Sequence, residues 1–189
     1  MQNKYSGNVS DFQPVVEDAS RVVISYGLEV AEDGEKATWY EVVFYKKQGK
    51  PTIEQVKKAV LDDINKQTDE KILTGFVWTP EGGDPLPVYL SDENQRNFSE
   101  AQRIAMIMPD AILPVTFKLG EHADETPIYY EFTTSEELTG FYLQAVAFIN
   151  QTLAEGWQRK DGIDWAPYEA ALNPQPEQTE GTKKSTRKK

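Results

Sequence analysis

The hydrophobic pattern of the chain begins with two runs rich in β-branched and aromatic residues, at residues 22–30 and 37–45. Residues 32–35 between them contain an Asp-Gly pair, a strong short-range signal of a tight turn. The pattern therefore predicts a β-hairpin. Residues 1–20 have few periodic apolar positions and many Asn, Ser, Gly and Asp residues, which predicts an extended arm.

Apolar residues at helical spacing follow the first hairpin. Thr52 stands three residues before Gln55, which is the spacing of a capping box, and predicts a helix over residues 53–66. A second hairpin is predicted next, with residues 72–79 paired to residues 86–90 across a loop rich in Gly and Pro.

The next helix is predicted to begin after Ser91, a residue type that caps helices, and to end at Pro109. Its predicted core side consists of apolar residues spaced three or four apart: Phe98, Ala101, Ile104, Ala105 and Met108.

A third strand pair is predicted from residues 115–119 and 128–132. Thr134 and Glu137 form a second capping box, which predicts a long helix ending near Gly156. Its predicted core stripe is Leu138, Phe141, Tyr142, Ala145, Ile149 and Leu153. A short last helix is predicted within residues 162–172, with its Trp165 and Tyr168 packed against the rest of the domain.

The strand-strand-helix order thus occurs three times, and it predicts an α+β fold in which antiparallel β-hairpins pack against about three helices. The 189 residues, 39% of them hydrophobic, suffice for one sizeable core. The predicted organisation is an extended arm over residues 1–20, a single domain over 21–172 and a flexible basic tail over 173–189.

Charge is unevenly distributed along the chain, whose net charge is −11. Setting aside residues 179–189 reduces the 20 basic and 31 acidic residues to 15 and 30. The negative charge of residues 1–178 repels the phosphates of nucleic acid, so nucleic acid is not expected as a partner of this part of the chain. The basic tail, with Lys183, Lys184 and Arg187, is the candidate contact for nucleic acid or an acidic neighbour. The alternative for this tail is a solvated, disordered end.

The sequence also indicates the cellular compartment in which the protein is made. It contains no cysteine and no run of about 18 apolar residues, and its start lacks the apolar region of a secretory signal. We therefore expect a protein that is made in the cytoplasm and does not contact a membrane.

Catalytic and metal-binding motifs are weak. His122 is the only histidine, and the loop around it has no second histidine or regular series of oxygen ligands. Gly82 and Gly83 lack the Lys and Ser/Thr partners of a phosphate-binding loop. We therefore expect neither an enzyme nor a bound cofactor or metal.

Three residues are candidates for binding a partner. Asn94 and Gln95 carry amides at the start of the second helix, and Trp78 precedes the turn of the second hairpin. The amides could instead satisfy free backbone groups at the helix start, and the tryptophan could belong to the core. The sequence alone leaves both interpretations open.

Five motifs in order resemble a domain family of unknown function encoded among tail, tail-fibre and fibre-assembly proteins of tailed bacteriophages and prophages. They are ILTGF at 72–76, LSDENQ at 90–95, LPVTFK at 113–118, EEL at 136–138, and EGW with KDGIDW between 155 and 165. The resemblance spans residues 53–172. Departures occur at residues 79–87, a longer loop than the family suggests, and at residues 104–111, where the family suggests a polar stretch.

The resemblance implies a virion protein, with no activity to carry over. We expect a structural component of the tail, baseplate or fibre attachment that contacts other phage structural proteins, in multiple copies within a symmetric assembly. The alternatives are a capsid-decorating, head or collar protein, and an assembly chaperone for tail fibres that is absent from the finished particle.

Overall fold

The computed structural model describes residues 4–173. The predicted basic tail, with Lys183, Lys184 and Arg187, falls outside these residues except for Asn173. The chain divides into two compact units, of which unit 1 holds the residues up to Ala59 and from Ile163 onward, and unit 2 holds Val60–Gly162. The single domain over residues 21–172 stays a prediction.

Unit 1 contains a four-stranded antiparallel sheet in the order β1-β4-β3-β2. The strands are β1 (Lys4–Asn8), β2 (Val15–Glu17), β3 (Arg21–Val30) and β4 (Lys36–Tyr45). The hairpin of β3 and β4 confirms the first predicted strand pair. In the region predicted as an extended arm, β1 and β2 bond to β4 and β3 as edge strands, so residues 4–8 and 15–17 belong to the sheet.

The first hairpin follows from local chemistry at its turn and burial along its strands. The Asp33 carboxylate accepts hydrogen bonds from the backbone N–H groups of Glu35 and Lys36, at 2.9 and 3.0 Å. Val22 and Ile24 on β3 are fully buried. The turn and the apolar side chains therefore favour the same pairing.

Helix α1 (Ile53–Thr74) begins with the predicted capping box. The Thr52 N–H donates to Gln55 Oε1 at 2.8 Å, and the Gln55 N–H donates to Thr52 Oγ1 at 3.3 Å. The helix continues eight residues past the predicted end, because its polar residues 65–71 are mostly good helix formers. The helix ends just before Gly75, whose φ of +80° favours glycine.

Unit 1 also contains helix α4 (Ala166–Leu172), the predicted last helix. Tyr168 and Leu172 are buried, as the sequence predicted for Tyr168. Lys57 Nζ lies 2.7 Å from Glu169 Oε1 and 5.7 Å from the centroid of the Trp165 ring. These contacts join the start of α1 to α4.

Unit 2 contains two two-stranded antiparallel sheets and two more helices. Its sheets pair β5 (Phe76–Trp78) with β6 (Leu86–Val88) and β7 (Val115–Glu121) with β8 (Pro127–Phe132). The helices are α2 (Asp92–Ile107) and α3 (Ser135–Asp161). The threefold strand-strand-helix order and the α+β class are confirmed.

Aromatic rings form the centre of the unit 2 core. The Phe141 ring lies 5.0 Å, centroid to centroid, from each of the rings of Trp78, Phe98 and Phe132. Leu138 and Ala145 on the same face of α3 are also buried. Tyr142, Ile149 and Leu153 are partly buried against the same core, so the core stripe predicted for this helix is confirmed.

The predicted end of α3 at Gly156 is wrong, because the helix continues to Asp161. A Cβ at residue 156 would lie 2.6 Å from Thr68 Oγ1, so this glycine permits close approach of α1 and α3 within unit 2. The same contact includes an Arg159 nitrogen 2.7 Å from Gln67 Oε1. Close packing, rather than termination of the helix, accounts for this glycine.

Candidate protein interaction surface

Three consecutive large apolar side chains are exposed at the end of α2. The exposed fractions are 62% for Met106, 68% for Ile107 and 57% for Met108. No other three consecutive large apolar residues are exposed in the described part of the chain. We call residues 106–108 the α2 apolar end.

The local sequence explains why these side chains point outward. Ala101 and Ala105 occupy the core side of α2, and Pro109 begins a separate short 3-10 turn. The Met108 N–H still donates to the Ile104 carbonyl at 2.8 Å, but Met108 has φ −141° and ψ 71°. The prediction that Met108 faces the core is wrong, because its backbone has already left the helical path.

The surroundings of the α2 apolar end are partly polar. The Thr139 hydroxyl donates to Met106 Sδ at 3.6 Å, which places Met106 against α3. An open cavity of about 440 Å³ begins at Pro109, and its lining includes Asp110 and Glu136. An apolar centre with a polar rim is the usual composition of a protein interface.

Asn94 and Gln95 bind the backbone of their own unit. Asn94 Nδ2 donates to the Tyr89 carbonyl at 2.9 Å, and Gln95 Nε2 donates to the Leu90 carbonyl at 2.7 Å. Both side chains are half-buried. They fix the connection between β6 and α2, which favours the capping interpretation over partner binding.

Trp78 lies in the core of unit 2, with 3% of its surface exposed. Its ring lies 4.7 Å from the Tyr130 ring and 5.0 Å from the Phe141 ring. We therefore leave Trp78 out of the candidate surface, since a partner cannot reach a side chain so placed. Asn94 and Gln95 make their hydrogen bonds with the backbone that precedes α2. The basic candidates of the tail lie outside the described residues.

The titratable groups with the largest upward shifts serve structural contacts. Burial, together with a hydrogen bond to Glu137, raises the pKa of Tyr130 to about 12. His122 is exposed in the loop between β7 and β8. Over residues 4–173, no group of three or more His, Cys, Asp or Glu side chains is placed to hold a metal ion.

None of the helices in the described part of the chain combines the length and apolar character needed to cross a bilayer.

Sequence reasoning did not single out Met106 and Ile107, nor the exposure of Trp157, 57% of whose surface is accessible. A usable signal existed for the first two. Residues 104–108 form an unbroken apolar run, and one buried stripe of a helix cannot accommodate five consecutive residues. For Trp157, the usable signal is a seven-residue repeat, because it lies seven residues after Asn150 and fourteen after Leu143 on one face of the helix.

The sequence was also compared with known families and proteins. A family model described as a domain of unknown function (DUF4376) matches residues 55–177, well over half of the chain. The chain belongs to this family. No curated protein and no solved structure matches it.

The DUF4376 region begins within the first turn of α1 and contains all of unit 2 and helix α4. The four-stranded sheet of unit 1 lies before it. The α2 apolar end lies inside the DUF4376 region.

Proposed function

We propose that the protein is a structural component of a tailed-phage particle that acts through contacts with other phage structural proteins. The α2 apolar end carries the proposal of a binding role. The phage setting, and the position at the tail, baseplate or fibre attachment, rest on the resemblance of the five motifs. The proposed location is the virion, after synthesis in the bacterial cytoplasm.

The energetics favour covering the α2 apolar end. Fully burying a Met or Ile side chain is worth about 1.5–3 kcal/mol, so Ile107 and Met108 together could supply a substantial part of a binding free energy. Anchors of this kind, surrounded by polar groups, commonly dominate an interface.

The exposure of the α2 apolar end adds a point on specificity. The three side chains of the α2 apolar end are exposed, so a partner that covers them should present a matching apolar pocket.

The proposal is tested in particles purified by density from the source of the gene. Quantitative mass spectrometry compares wild type, a double variant with Ile107→Ser and Met108→Ser, and Val77→Ser. Val77 on β5 is the control, because it is also exposed but has no apolar neighbour exposed beside it in sequence. Circular dichroism establishes that each variant folds.

We expect wild type and Val77→Ser in the particle at a fixed ratio to the portal protein, and the double variant reduced at least severalfold. Absence of the wild type from particles, despite abundance in the lysate, would overturn the proposal in favour of the assembly chaperone. Chemical cross-linking of the same particles gives a further outcome. Cross-links from this protein to head or collar proteins alone would identify it as a head or collar protein instead.

A further inference from the structure

Helix α3 contains a long stretch without charge. Residues 138–154 include no Asp, Glu, Lys or Arg, although 27% of the chain is charged. Only one face of this stretch is used by the core of unit 2, where Leu138, Phe141 and Ala145 are buried. The opposite face is therefore uncharged without being buried.

That opposite face has a heptad pattern. Its positions are spaced by four and three residues in alternation, as in a coiled coil: Leu143, Ala147, Asn150, Ala154 and Trp157. We call these residues the α3 seam. Leu143 is 59% exposed and Trp157 57%, and Ala154 is the one half-buried member.

Glutamines accompany the α3 seam along one side. Gln144, Gln151 and Gln158 each follow a large seam residue and are all exposed. A glutamine amide both donates and accepts hydrogen bonds, so a row of them is complementary to a second copy of itself. Neither the seam nor this flank carries a charge.

We propose that the α3 seam pairs in antiparallel orientation with the seam of a second copy of this chain. Pairing is favoured in a register that sets Leu143 opposite Ala154 and Asn150 opposite Ala147 of the second copy. Trp157 then lies opposite Gly140, where a Cβ would meet no atom within 4 Å. Every layer thus combines a large residue with a small one, as close interdigitation requires.

Charge at the two ends of α3 supports the antiparallel orientation. The first turn carries Glu136 and Glu137, whereas the last turn carries Arg159, Lys160 and Asp161. The proposed register brings the net charge of −2 on one copy beside the net charge of +1 on the other. A parallel pair would instead place like ends together.

The same features indicate that the partner bound at the α3 seam is a second copy of this chain. A chain with net charge −11 repels its own copies over most of its surface, whereas the uncharged seam does not. A two-fold axis also makes the interface isologous, so each Leu143–Ala154 layer occurs twice. Pairing through the α3 seam is a property of the purified chain and does not depend on whether the protein enters a phage particle.

The first test is sedimentation equilibrium of the purified 189-residue chain across a range of concentrations. We expect a monomer–dimer equilibrium. Ala147→Glu, which places a charge in the seam, should weaken dimerisation by at least about tenfold. Ser99→Glu adds the same charge at an exposed position of α2 and should leave the equilibrium unchanged.

Orientation is tested by oxidation of single-cysteine variants, which is clean because the chain has no native cysteine. An equimolar mixture of Leu143→Cys and Ala154→Cys chains should form a disulfide-linked heterodimer, whereas neither chain alone should cross-link. Self-cross-linking of Leu143→Cys would overturn the antiparallel register. A wild-type chain that is monomeric at every concentration, or an Ala147→Glu variant that dimerises normally, would overturn the proposal itself.

Discussion

The hydroxyl of Tyr168 donates a hydrogen bond to the backbone carbonyl of Ser25, with 2.8 Å between the two oxygens. The bond joins α4 to β3 across 143 positions of sequence, and both residues are buried. It therefore ties the two ends of unit 1 together. Without the hydroxyl, the carbonyl would lose this partner in a place that water does not readily reach.

Tyr168→Phe should consequently lower the free energy of unfolding by about 1–2 kcal/mol, because a buried acceptor loses its donor. Urea unfolding followed by circular dichroism measures the change. Tyr129→Phe removes the same hydroxyl from an exposed side chain on β8 and should change the value by less than about 0.5 kcal/mol. Equal effects of the two substitutions would contradict this account of the bond.

The same tyrosine predicts a loss of stability at alkaline pH. Burial, with a smaller contribution from the charge of Asp164, raises the pKa of Tyr168 to about 12. An unfolded tyrosine titrates near about 10, so the unfolded chain releases this proton first. The contribution of Tyr168 is full below pH about 10 and is lost as the pH rises towards about 12.

Urea unfolding of wild type and Tyr168→Phe at a series of alkaline pH values measures this contribution. The stability of the wild type should decline more steeply, because the variant lacks the group that titrates. Tyr130 contributes to the decline in both proteins, since its pKa is also raised to about 12. Parallel declines for the two proteins would exclude Tyr168 as a source.

Two glycines of α3 should respond oppositely to the same substitution. Gly140→Ala places a methyl group in open space and should stabilise the monomer by up to about 1 kcal/mol, because alanine favours the helix. Gly156→Ala places it 2.6 Å from Thr68 Oγ1, which bonds to the Ile64 carbonyl, and should cost about 1–3 kcal/mol. Urea unfolding at concentrations where the chain is monomeric measures both. A stabilising Gly156→Ala would refute the close packing of α1 and α3.

Gln95→Glu tests the capping role of the amide. The substitution keeps the shape but replaces the donor to the Leu90 carbonyl with a carboxylate oxygen, so it should destabilise by about 1–3 kcal/mol. Asn97→Asp adds the same charge to the exposed side of the same helix and should be close to neutral. The difference in urea midpoint is the readout. Unchanged stability together with lost partner binding would restore Gln95 as a partner-binding residue.

Two tryptophans of unit 2 should separate folding from association. Trp78→Ala removes a ring from the aromatic core and should cost about 3–5 kcal/mol of unfolding free energy. Trp157→Ala removes an exposed ring and should leave monomer stability within about 0.5 kcal/mol while weakening the dimer. Urea unfolding and sedimentation are read together. Loss of monomer stability in Trp157→Ala would place that ring in the core.

Sequence reasoning succeeded where neighbouring residues decide the structure. The bonds of Thr52 with Gln55 and of Ser91 with Asn94 lie within one helical turn. The spacing of the first pair and the residue type of Ser91 therefore predicted the two helix starts. It failed where a distant residue decides. Gly156 is explained by Thr68 on another helix, and no pattern along α3 distinguishes that glycine from a cap.

The candidate surface shows the same division. The amides of Asn94 and Gln95 were recognised as chemically notable, but their carbonyl partners are defined only by the folded connection before α2. One residue of the α2 apolar end, Met108, was assigned to the core. Met108 has the helical spacing of a core residue, and only its backbone angles turn it outward.

The DUF4376 match and the compact units of this chain do not share boundaries. Residues 55–177 include α4 but omit the sheet whose Ser25 carbonyl binds Tyr168. A fragment trimmed to the match would therefore leave Tyr168 without the carbonyl on β3 to which it donates. The segment that defines the family is thus too short to keep α4 in contact with β3. A fragment that preserves this contact must also include residues that precede the match.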